Sequence, residues 1–451
     1  MEHHKIKKSN ILIIDDEEKL RSLLARILDL EGYQIFEAPN AKSAFRILEN
    51  TEIQLVISDV KLPDANGVEL TVTIKEKYPL VEIIVLTAYG TISDGVRAIK
   101  NGAFDYITKG DDNDKIIPLV SRATGKASLQ QRLFALERKI NQAYSFDQIL
   151  GNSKPLQVAK ELSQKVAPTD TTVLLTGETG TGKEVFAQAI HYASSRKSGN
   201  FVAVNCSAFS REILESELFG HKAGSFTGAT KDKKGLVEEA DGGTLFLDEI
   251  GEMNLDLQAK LLRFIETSTF IKVGDVKTSK VSVRIIAATN RDLEKESAEG
   301  HFRLYLFYRL SVFQIKLPSL NERVKDIPIL ANTFLRNFAL KTNKKIMGMS
   351  PEFIEKLSNH HWKGNIRELK NVMERAVILV DNEELTIDNL PLDIQFEISH
   401  NSNNIFDLAG VEKQHIQKIL LITKGNKTES SRLLGIGLTT LYRKIEEYGI
   451  S

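Results

Sequence analysis

Cysteine, tryptophan and net charge are all scarce in this chain of 451 residues. Its single cysteine, Cys206, excludes an internal disulfide framework and is typical of proteins that work in a reducing compartment. The 60 Lys and Arg residues balance 60 Asp and Glu residues, so any contact with nucleic acid must come from a local basic patch. No apolar run is long enough to span a bilayer, and the N-terminal residues MEHHKIKKSN contain no apolar signal core. We therefore expect a soluble, cytoplasmic protein without membrane contact.

The length predicts two to four domains, and the first of them has the pattern of an α/β fold. Four apolar runs end in small, polar or acidic residues, namely 11–15, 53–59, 82–88 and 104–109. Amphipathic segments lie between them. This pattern favours buried parallel strands that carry functional residues at their carboxyl ends.

A heptad-like pattern follows the first block. Leu129, Leu133, Leu136 and Ile140 are spaced four, three and four residues apart, with charged residues between them. This short seam predicts a helical linker, which either pairs with its copy in a second chain or packs as an amphipathic helix on its own chain. A second α/β block, a helical segment of about 321–385, a polar linker and a short helical end complete the chain. The predicted boundaries are 9–124, 125–146, 147–385, 386–405 and 406–451.

The most specific motif is LLTGETGTGKE at 174–184, where an apolar strand leads into a glycine-rich loop and then a helix. The glycines expose backbone N–H groups that can cradle phosphate oxygens, and the lysine reaches the outer phosphates. A plain glycine-rich turn is the alternative. The predicted ATP-binding residues are Gly177, Glu178, Thr179, Gly180, Thr181, Gly182, Lys183 and Glu184, the last in the place where a Ser or Thr usually binds magnesium.

Two further strands supply partners for this loop. GGTLFLDEI at 242–250 ends in Asp248, which can hold Mg2+, and Glu249, which can polarise the attacking water. Two acidic residues after a strand can also be no more than a helix cap, but the glycine-rich loop favours catalysis. VRIIAATNRDL at 283–293 ends in Asn290, near the expected position of a γ-phosphate.

HFRLYLFYRLSV at 301–312 carries Arg303 and Arg309. An arginine delivered from a neighbouring subunit can stabilise charge on a transferring phosphoryl group, whereas a lone arginine is more often a surface ion-pair partner. In HKAGSFTGAT at 221–230, two glycines bracket Phe226 and favour a mobile loop. Phe226 is therefore either covered by a neighbour or kept exposed to contact a partner.

The terminal residues 425–450 have helix-turn-helix spacing, with Gly435 and Gly437 at the turn. Residues 405–451 carry seven Lys and Arg against five Asp and Glu, so the electrostatic contribution to DNA binding is modest and dimerisation would help. An ordinary helical hairpin is the alternative. The second helix would present its polar side chains to the major groove, namely Thr439, Thr440, Tyr442, Arg443 and Lys444.

The order of these motifs, together with ESELFG at 215–220 and WKGNIRELKN at 362–371, resembles the AAA+ ATPases that activate sigma-54 RNA polymerase. These are the NtrC-like bacterial enhancer-binding proteins, and the resemblance runs almost continuously over 147–385. In that family Glu usually follows the P-loop lysine, which accounts for Glu184. The resemblance implies a loop that rises when ATP is bound and contacts sigma-54, here Gly224, Ser225, Phe226, Thr227, Gly228 and Ala229.

Other roles are implied by the same resemblance. Asn205 would hold Glu249 until the γ-phosphate is sensed. Arg367 would be the sensor arginine of the lid and, like Asn290, would bind ATP. Arg303 and Arg309 would act in trans. Tyr305 stands where the family usually has an acidic residue, which changes the ion pairing expected around those arginines.

The N-terminal block resembles a response-regulator receiver domain, and the terminal segment resembles a Fis-type DNA-binding domain. The receiver residues that we expect at one sheet edge are Asp15, Asp16, Asp59, Thr87 and Lys109. The three carboxylates would bind Mg2+, Asp59 would be phosphorylated, and Lys109 would pair with the new charge. Thr87 and Tyr106 would relay the change. Gly110 replaces the proline that usually follows the lysine, which alters the loop there.

The predicted fold is multidomain α/β, with a flavodoxin-like (CheY-like) receiver, an AAA+ P-loop domain with a helical lid, and a small all-α helix-turn-helix domain. The expected function is that of a phosphorylation-controlled, ATP-hydrolysing transcriptional activator that uses ATP and Mg2+. Its expected partners are sigma-54 RNA polymerase, enhancer DNA, a sensor histidine kinase and copies of itself, as homodimers that assemble into a ring of six or seven subunits.

Two other functions compete with this one. The first is an AAA+ remodeller of another target, such as a chaperone or helicase loader, and the GSFTGA sequence opposes it. The second is a DNA-binding repressor with a vestigial ATPase, which the intact Lys183, Asp248 and Glu249 oppose.

Overall fold

Runs of aliphatic residues form two separate parallel β-sheets, one in each of two units of the chain. The computed structural model describes residues 9–87, 92–109, 113–226, 228–395, 408–423 and 425–450. The units are Met1–Gln142 and Ala143–Ser451. Among the helices described, none is both long and apolar enough to cross a membrane.

The first unit is a doubly wound α/β fold, as predicted. Its five parallel strands lie in the order β2-β1-β3-β4-β5, which is the flavodoxin-like order. Because successive side chains of a strand point to opposite faces, Ile11 packs with helix residue Leu28 whereas Leu12 packs with Leu48. The elements are β1 (Asn10–Ile14), α1 (Glu18–Leu30), β2 (Gln34–Ala38), α2 (Ala41–Asn50), β3 (Leu55–Asp59), α3 (Gly67–Lys77), β4 (Glu82–Thr87), α4 (Ile92–Lys100), β5 (Asp105–Thr108) and α5 (Asn113–Ala143).

Strand β2 is the one strand of this sheet that the apolar runs do not reveal. It lies at the edge of the sheet, where Gln34 and Glu37 are exposed and only Ala38 is buried. A half-buried edge strand lacks the continuous apolar run that marks the central strands.

Helix α5 continues without a break through the position where we expected the first domain to end, at 124. It joins the last helix of the α/β fold to the predicted linker as one helix of 31 residues. Leu129 and Leu133 are 59% and 52% exposed, so more than half of each residue in the first half of the heptad seam is accessible. The side chains of Leu136 and Ile140 lie outside the described residues.

The second unit begins with another parallel sheet, in the order β12-β6-β11-β8-β7. In its register Thr176 pairs with Thr289 and Asn205 pairs with Asp248, so the carboxyl ends of four strands share one edge. The elements are α6 (Lys154–Val166), β6 (Val173–Thr176), α7 (Lys183–Tyr192), β7 (Phe201–Asn205), α8 (Arg211–Phe219), α9 (Leu236–Glu239), β8 (Thr244–Asp248), α10 (Leu255–Thr267), β9 (Thr269–Ile271), β10 (Thr278–Lys280), β11 (Arg284–Thr289), α11 (Leu293–Ala298), α12 (Leu304–Leu310) and β12 (Phe313–Lys316).

A helical lid follows the sheet and extends past 385, into residues that we expected to be linker. Leu390 and Ile394 are buried in the same core as Trp362 and Phe353. Burying each such side chain stabilises the fold by roughly 1.5–3 kcal/mol, which explains why this otherwise polar segment folds back. The elements are α13 (Ile327–Thr342), β13 (Gly348–Met349), α14 (Pro351–Asn359), α15 (Asn365–Leu379), β14 (Glu384–Leu385) and α16 (Leu392–Gln395).

The chain ends in a helix-turn-helix, which confirms the prediction from spacing. Its helices are α17 (Leu408–Ile422), α18 (Lys427–Leu433) and α19 (Leu438–Glu447). Asn426 caps α18 by accepting a hydrogen bond from Glu429 N. Buried Ser430 and Leu441 form part of its interior, where the small serine allows close packing.

Candidate functional site

Acidic side chains and a lysine meet at the carboxyl edge of the first sheet. Lys109 Nζ lies 2.7 Å from Asp59 Oδ2 and 2.8 Å from Asp15 Oδ2. Asp15 and Asp59 are buried, whereas Asp16 is exposed. The structure thus brings together the predicted receiver residues, because β1, β3 and β5 are parallel and end at the same edge.

The three carboxylates form a donor set that fits a hard cation. One oxygen from each of Asp15, Asp16 and Asp59 lies within 4.8 Å of the others. Asp15 Oδ2 is buried and, apart from its ion pair with Lys109, has no hydrogen-bond partner among the described residues. Carboxylate oxygens are the ligands that Mg2+ prefers.

The two buried carboxylates keep Lys109 charged. Burial lowers the pKa of Lys109, but hydrogen bonds and charge attraction from Asp15 and Asp59 outweigh that effect and raise it above 10.5. Lys109 is therefore protonated at physiological pH.

The predicted switch residues Thr87 and Tyr106 lie on the neighbouring strands β4 and β5. Thr87 is buried, and its Oγ1 donates to Ile107 O at 3.5 Å. Its carbonyl accepts a hydrogen bond from Lys109 N at 2.8 Å, which ties it to the acidic site. Residues 88–91, which follow Thr87, and residues 110–112, which include Gly110, lie outside the described residues.

In the second unit, the glycine-rich loop joins β6 to α7 in a backbone shape that requires glycine. Gly177, Gly180 and Gly182 have φ values of +151°, +81° and +100°. The loop ends at the N-terminus of α7, where unpaired N–H groups and the helix dipole favour an anion. Glu184 is exposed and accepts a hydrogen bond from Gln188, one turn further along α7.

Lys183 lies inside the curve of this loop and is 6% exposed. Its Nζ donates to Gly177 O at 2.9 Å and to Glu178 O at 3.2 Å. Burial lowers the pKa of Lys183, and the charges of Glu249 and Asp248 only partly offset that effect. The ammonium has backbone carbonyls as partners, with no side-chain carboxylate bonded to it among the described residues.

Asp248 ends strand β8, and Glu249 follows it directly. Asp248 Oδ1 accepts a hydrogen bond from Glu249 N at 3.0 Å, and Glu249 has a φ of +51°, which is uncommon for a residue other than glycine. The Glu249 carboxylate has no hydrogen-bond or ion-pair partner among the described residues. Such strained backbone clusters at active sites, where it aims a side chain.

Asn205 is placed differently from its expected role. It lies opposite Asp248 in the sheet register, but its Oδ1 accepts hydrogen bonds from Ser207 N and Oγ at 2.9 and 2.7 Å. The structure therefore brings Asn205 to the right edge of the sheet without joining it to Glu249.

Two carboxamides hold the glycine-rich loop from opposite sides. Asn290 Nδ2 donates to Thr179 Oγ1 at 3.0 Å, while Asn365 Nδ2 donates to Thr179 O at 3.1 Å and to Glu178 Oε2 at 2.9 Å. Sequence reasoning missed Asn365, although it stands in the quoted GNIREL motif. Arg367, which was predicted from that motif, is exposed close to the loop beside Gly180.

Arg303 and Arg309 do not join these residues. A cleft of about 540 Å3 borders the loop and is lined by Gly177 and Asn290, but neither arginine lines it. Arg303 Nε donates to Leu255 O at 2.9 Å, and Arg309 is exposed beside a separate cleft. Tyr305, between them on α12, is 79% exposed.

The GSFTGA loop leaves Phe226 partly covered. Phe226 is 46% exposed, and its ring meets His221 edge-on, with 5.0 Å between ring centroids. Gly224 N donates to Ala229 O, and Ala229 N donates to Phe226 O, which closes the loop. Ser225 Oγ donates to Lys222 O. Phe226 is thus not a core anchor; Thr227 lies outside the described residues, and Gly228 continues the loop.

The second helix of the helix-turn-helix presents only some of its predicted DNA contacts. Thr439 and Arg443 are exposed, and Thr440 is half-buried. Tyr442 lies under the ammonium of Lys427, 4.9 Å from its ring centroid. Lys444 forms an ion pair with Glu412 of α17 and lies near Tyr448 Oη, so its charge is directed into the domain.

Family models match almost the whole chain. They are the response regulator receiver domain over residues 11–121, the sigma-54 interaction domain over 149–316, the AAA+ ATPase lid domain over 321–405 and the bacterial regulatory protein, Fis family, over 408–448.

Individual proteins are similar over their full length. Regulatory protein AtoC of Escherichia coli (strain K12) is 38% identical over 452 residues, which cover 98% of both chains. Transcriptional regulatory protein ZraR of Salmonella typhimurium is 40% identical over 440 residues, which cover 97% of this chain and 99% of that one. The crystal structure of NtrX from Brucella abortus in complex with ATP superposes with a TM-score of 0.65 at 32% identity, over 98% of this chain and all of that one. The chain therefore belongs to the NtrC-like family of sigma-54-dependent response regulators, with a receiver domain, an AAA+ ATPase that activates sigma-54 transcription and a Fis-type DNA-binding domain.

Proposed function

We propose that phosphorylation of Asp59 controls a ring of subunits in which each ATP site is completed by an arginine from the neighbouring copy. The observation that carries this proposal is the separation of the catalytic groups within one chain. Lys183, Asp248 and Glu249 lie near one loop, whereas Arg303 and Arg309 are exposed and do not line the cleft beside it. Phosphate-binding and water-activating groups of one chain then form a complete site when a second copy supplies an arginine for the developing charge.

At the receiver site, a carboxylate oxygen of Asp59 attacks the phosphorus of the donor, and the bond to the leaving group breaks with its electron pair. Asp15, Asp16 and Asp59 would hold Mg2+, which screens the negative charges as they approach one another. Lys109, 2.7 Å from Asp59, stays protonated and pairs with the new phosphoryl group. Phosphorylation adds about −1.5 to −2 charges at this edge, and Thr87 and Tyr106 relay the change.

At the ATP site, the residues divide the work by chemistry. Gly177 to Gly182 bind phosphate oxygens through backbone N–H groups, Lys183 pairs with the outer phosphates, and Asp248 would hold Mg2+. Glu249, whose carboxylate has no competing partner among the described residues, takes a proton from the water whose oxygen attacks the γ-phosphorus. The bond to the β–γ bridging oxygen breaks, which leaves ADP and inorganic phosphate. Asn290, bonded to Thr179, senses the γ-phosphate.

At the working end, Phe226 and Thr227 contact sigma-54 when the loop rises. Phe226 is poised for this role because nearly half of the residue is already exposed and its ring meets His221 edge-on. The helix-turn-helix anchors the ring upstream on DNA through exposed Thr439 and Arg443. We place the protein in the cytoplasm, where it meets DNA, ATP and a sensor histidine kinase.

Mixing two inactive full-length variants tests the shared site. Glu249→Gln removes the base from its own site, and Arg303→Ala/Arg309→Ala removes the arginines from the neighbouring site, so each variant alone should lose ATP hydrolysis by about 100-fold or more. In a mixed ring, some sites combine the intact Glu249 of the arginine variant with the intact arginines of a neighbouring Glu249→Gln subunit. Those sites are complete. We expect ATP turnover to reappear on mixing and to peak near equal amounts.

The matched control replaces the second variant with Lys183→Met, which damages the same side of the site as Glu249→Gln. Mixing these two variants should give no recovery beyond the sum of their activities. Equal recovery in both mixtures, or no recovery in the first, contradicts a site completed in trans.

A further inference from the structure

The GNIREL segment of the lid (364–369) carries a buried asparagine, Asn365, that directly contacts the glycine-rich, phosphate-binding loop (the P-loop, 177–183). Asn365 is 0% exposed and is the first residue of α15, with a φ of +53°. Asparagine tolerates this left-handed backbone better than most residues because its short polar side chain can bond locally. The backbone shape at position 365 therefore favours Asn or Gly. Of these two, only Asn can form side-chain hydrogen bonds.

The side chain of Asn365 uses both of its ends to join three parts of the domain. Its Oδ1 accepts a hydrogen bond from Leu320 N at 2.6 Å, in the segment between β12 and the lid. Its Nδ2 donates to Glu178 Oε2 at 2.9 Å and to Thr179 O at 3.1 Å, both in the P-loop. A buried amide whose partners are all in place is costly to disturb, because each lost partner leaves an unpaired polar group.

The neighbours of Asn365 add a steric connection to the same loop. Ile366 N donates to Gly180 O at 3.0 Å. A Cβ atom at Gly180 would lie 2.3 Å from Gly364 O, so the lid backbone fits against the loop only because Gly180 has no side chain. The start of α15 is therefore held to the shape of the P-loop and would shift with it.

Thr179 connects this contact to the carboxyl end of β11, where we expect the γ-phosphate. Its hydroxyl accepts a hydrogen bond from Asn290 at the end of β11, and its carbonyl accepts one from Asn365 at the start of α15. Arg367 lies two residues beyond Asn365 on the same helix, on the side of Gly180. Any rotation of α15 about its first residue displaces the guanidinium of Arg367 relative to the phosphates.

We propose that Asn365 is a positioning residue that sets the lid, and with it Arg367, against the P-loop for ATP binding. It acts through Arg367 and does not itself touch the reacting atoms. This inference rests on the proposed role of Arg367 in ATP binding, and it adds the group that determines where that arginine stands.

The test uses the full-length chain and measures KM and kcat for ATP hydrolysis in Asn365→Gly, Arg367→Ala and the double variant. Asn365→Gly keeps the backbone shape but removes all three side-chain hydrogen bonds. We expect KM to rise about tenfold, a loss of about 1.4 kcal/mol in binding, while kcat changes less. If Asn365 acts through Arg367, the double variant has the KM of Arg367→Ala alone.

Several results would overturn the proposal. KM unchanged in Asn365→Gly while Arg367→Ala raises it contradicts the role of Asn365, as do effects that multiply in the double variant. Unchanged KM in Arg367→Ala instead contradicts the proposed role of Arg367.

A second pair of variants provides a route if Asn365→Gly does not fold. In Asn365→Asp two carboxylates face each other, and adding Glu178→Gln supplies an amide that can donate to the new carboxylate. We expect KM to rise in Asn365→Asp and to recover in Asn365→Asp/Glu178→Gln. A failure of Glu178→Gln to lower KM in that background also contradicts the proposal.

Discussion

Two lysines at the carboxyl edges of two parallel sheets, the half-buried Lys109 and the buried Lys183, show opposite chemistry in this molecule. Lys109 lies between two buried carboxylates, and its pKa is raised. Lys183 lies among backbone carbonyls, and its pKa is lowered by burial. The receiver lysine is therefore bonded to carboxylates of its own chain, whereas the P-loop lysine is a buried cation that Asp248 and Glu249 attract without bonding to it and that can pair with the phosphates of ATP.

This difference explains how the two sites are used. A lysine that already has carboxylate partners is held in place at rest, and its site responds when a phosphoryl group adds negative charge. A site with a buried cation that is only partly compensated gains interaction energy when an anion binds, so that nucleotide binding stabilises the loop around it. The first behaviour suits a slow switch and the second suits repeated binding and release.

The largest expected effect comes from removing the P-loop lysine. Lys183→Met should lower ATP hydrolysis by about 100-fold or more, because the charge that pairs with the outer phosphates is lost. The same variant should still gain the mass of one phosphoryl group when incubated with acetyl phosphate and Mg2+, since Asp59 lies at the edge of the other sheet. Lys165→Met, at an exposed position on α6, is the matched control. A rate of ATP hydrolysis within tenfold of wild type would contradict the role given to Lys183.

Removing the receiver lysine should instead act on stability. Lys109→Met leaves Asp15 and Asp59 buried without their cation, a change that typically costs about 3–5 kcal/mol. We expect the midpoint of thermal unfolding of the receiver to fall. Added Mg2+ should raise this midpoint more in the variant than in wild type, because the ion can replace the lost charge. Lys100→Met, which removes an exposed lysine on α4, serves as the control. An unchanged midpoint without Mg2+ contradicts a stabilising role for the ion pairs of Lys109 with Asp15 and Asp59.

The smallest effect is a difference in titration between the two lysines. In protein labelled with 13C at lysine Cε, with signals assigned from the two Met variants, Lys183 should titrate below 10.5 and Lys109 above it. The stability that Lys109 contributes is fully present below pH 10.5 and is lost as the pH rises through its raised pKa. For Lys183 the sign is opposite, because deprotonation through its lowered pKa relieves the cost of a buried charge. Coincident midpoints would show that the two environments do not differ.

Much of the fold follows from local pattern, and the exceptions share a cause. The central strands were visible as apolar runs, but β2 was not, because an edge strand buries too few side chains to leave such a run. The polar segment after 385 was expected to be linker, yet Leu390 and Ile394 fold into the lid core. In both places a few side chains decide the outcome, and their burial depends on residues far away in the sequence.

The same division holds at the sites. The spacing of Asp15, Asp59 and Lys109 at strand ends led to a cluster that the structure brings together. Asn205 and Lys444 were assigned roles by position, but their side chains have local partners, Ser207 and Glu412. The position of a residue along a strand or helix predicts which edge of the sheet or face of the helix it occupies. Its hydrogen-bond or ion-pair partner depends instead on competition among nearby polar groups.

By itself, the sequence determined the kinds of chemistry and their order, because phosphate-binding loops and acidic strand ends are local patterns that need only a few adjacent residues. Tertiary structure alone decided which of these groups meet. The contact between Asn365 and Glu178 joins residues 187 positions apart, and no local pattern encodes it. The half-exposure of Phe226 likewise depends on where His221 is held, since burial is a property of the packed molecule.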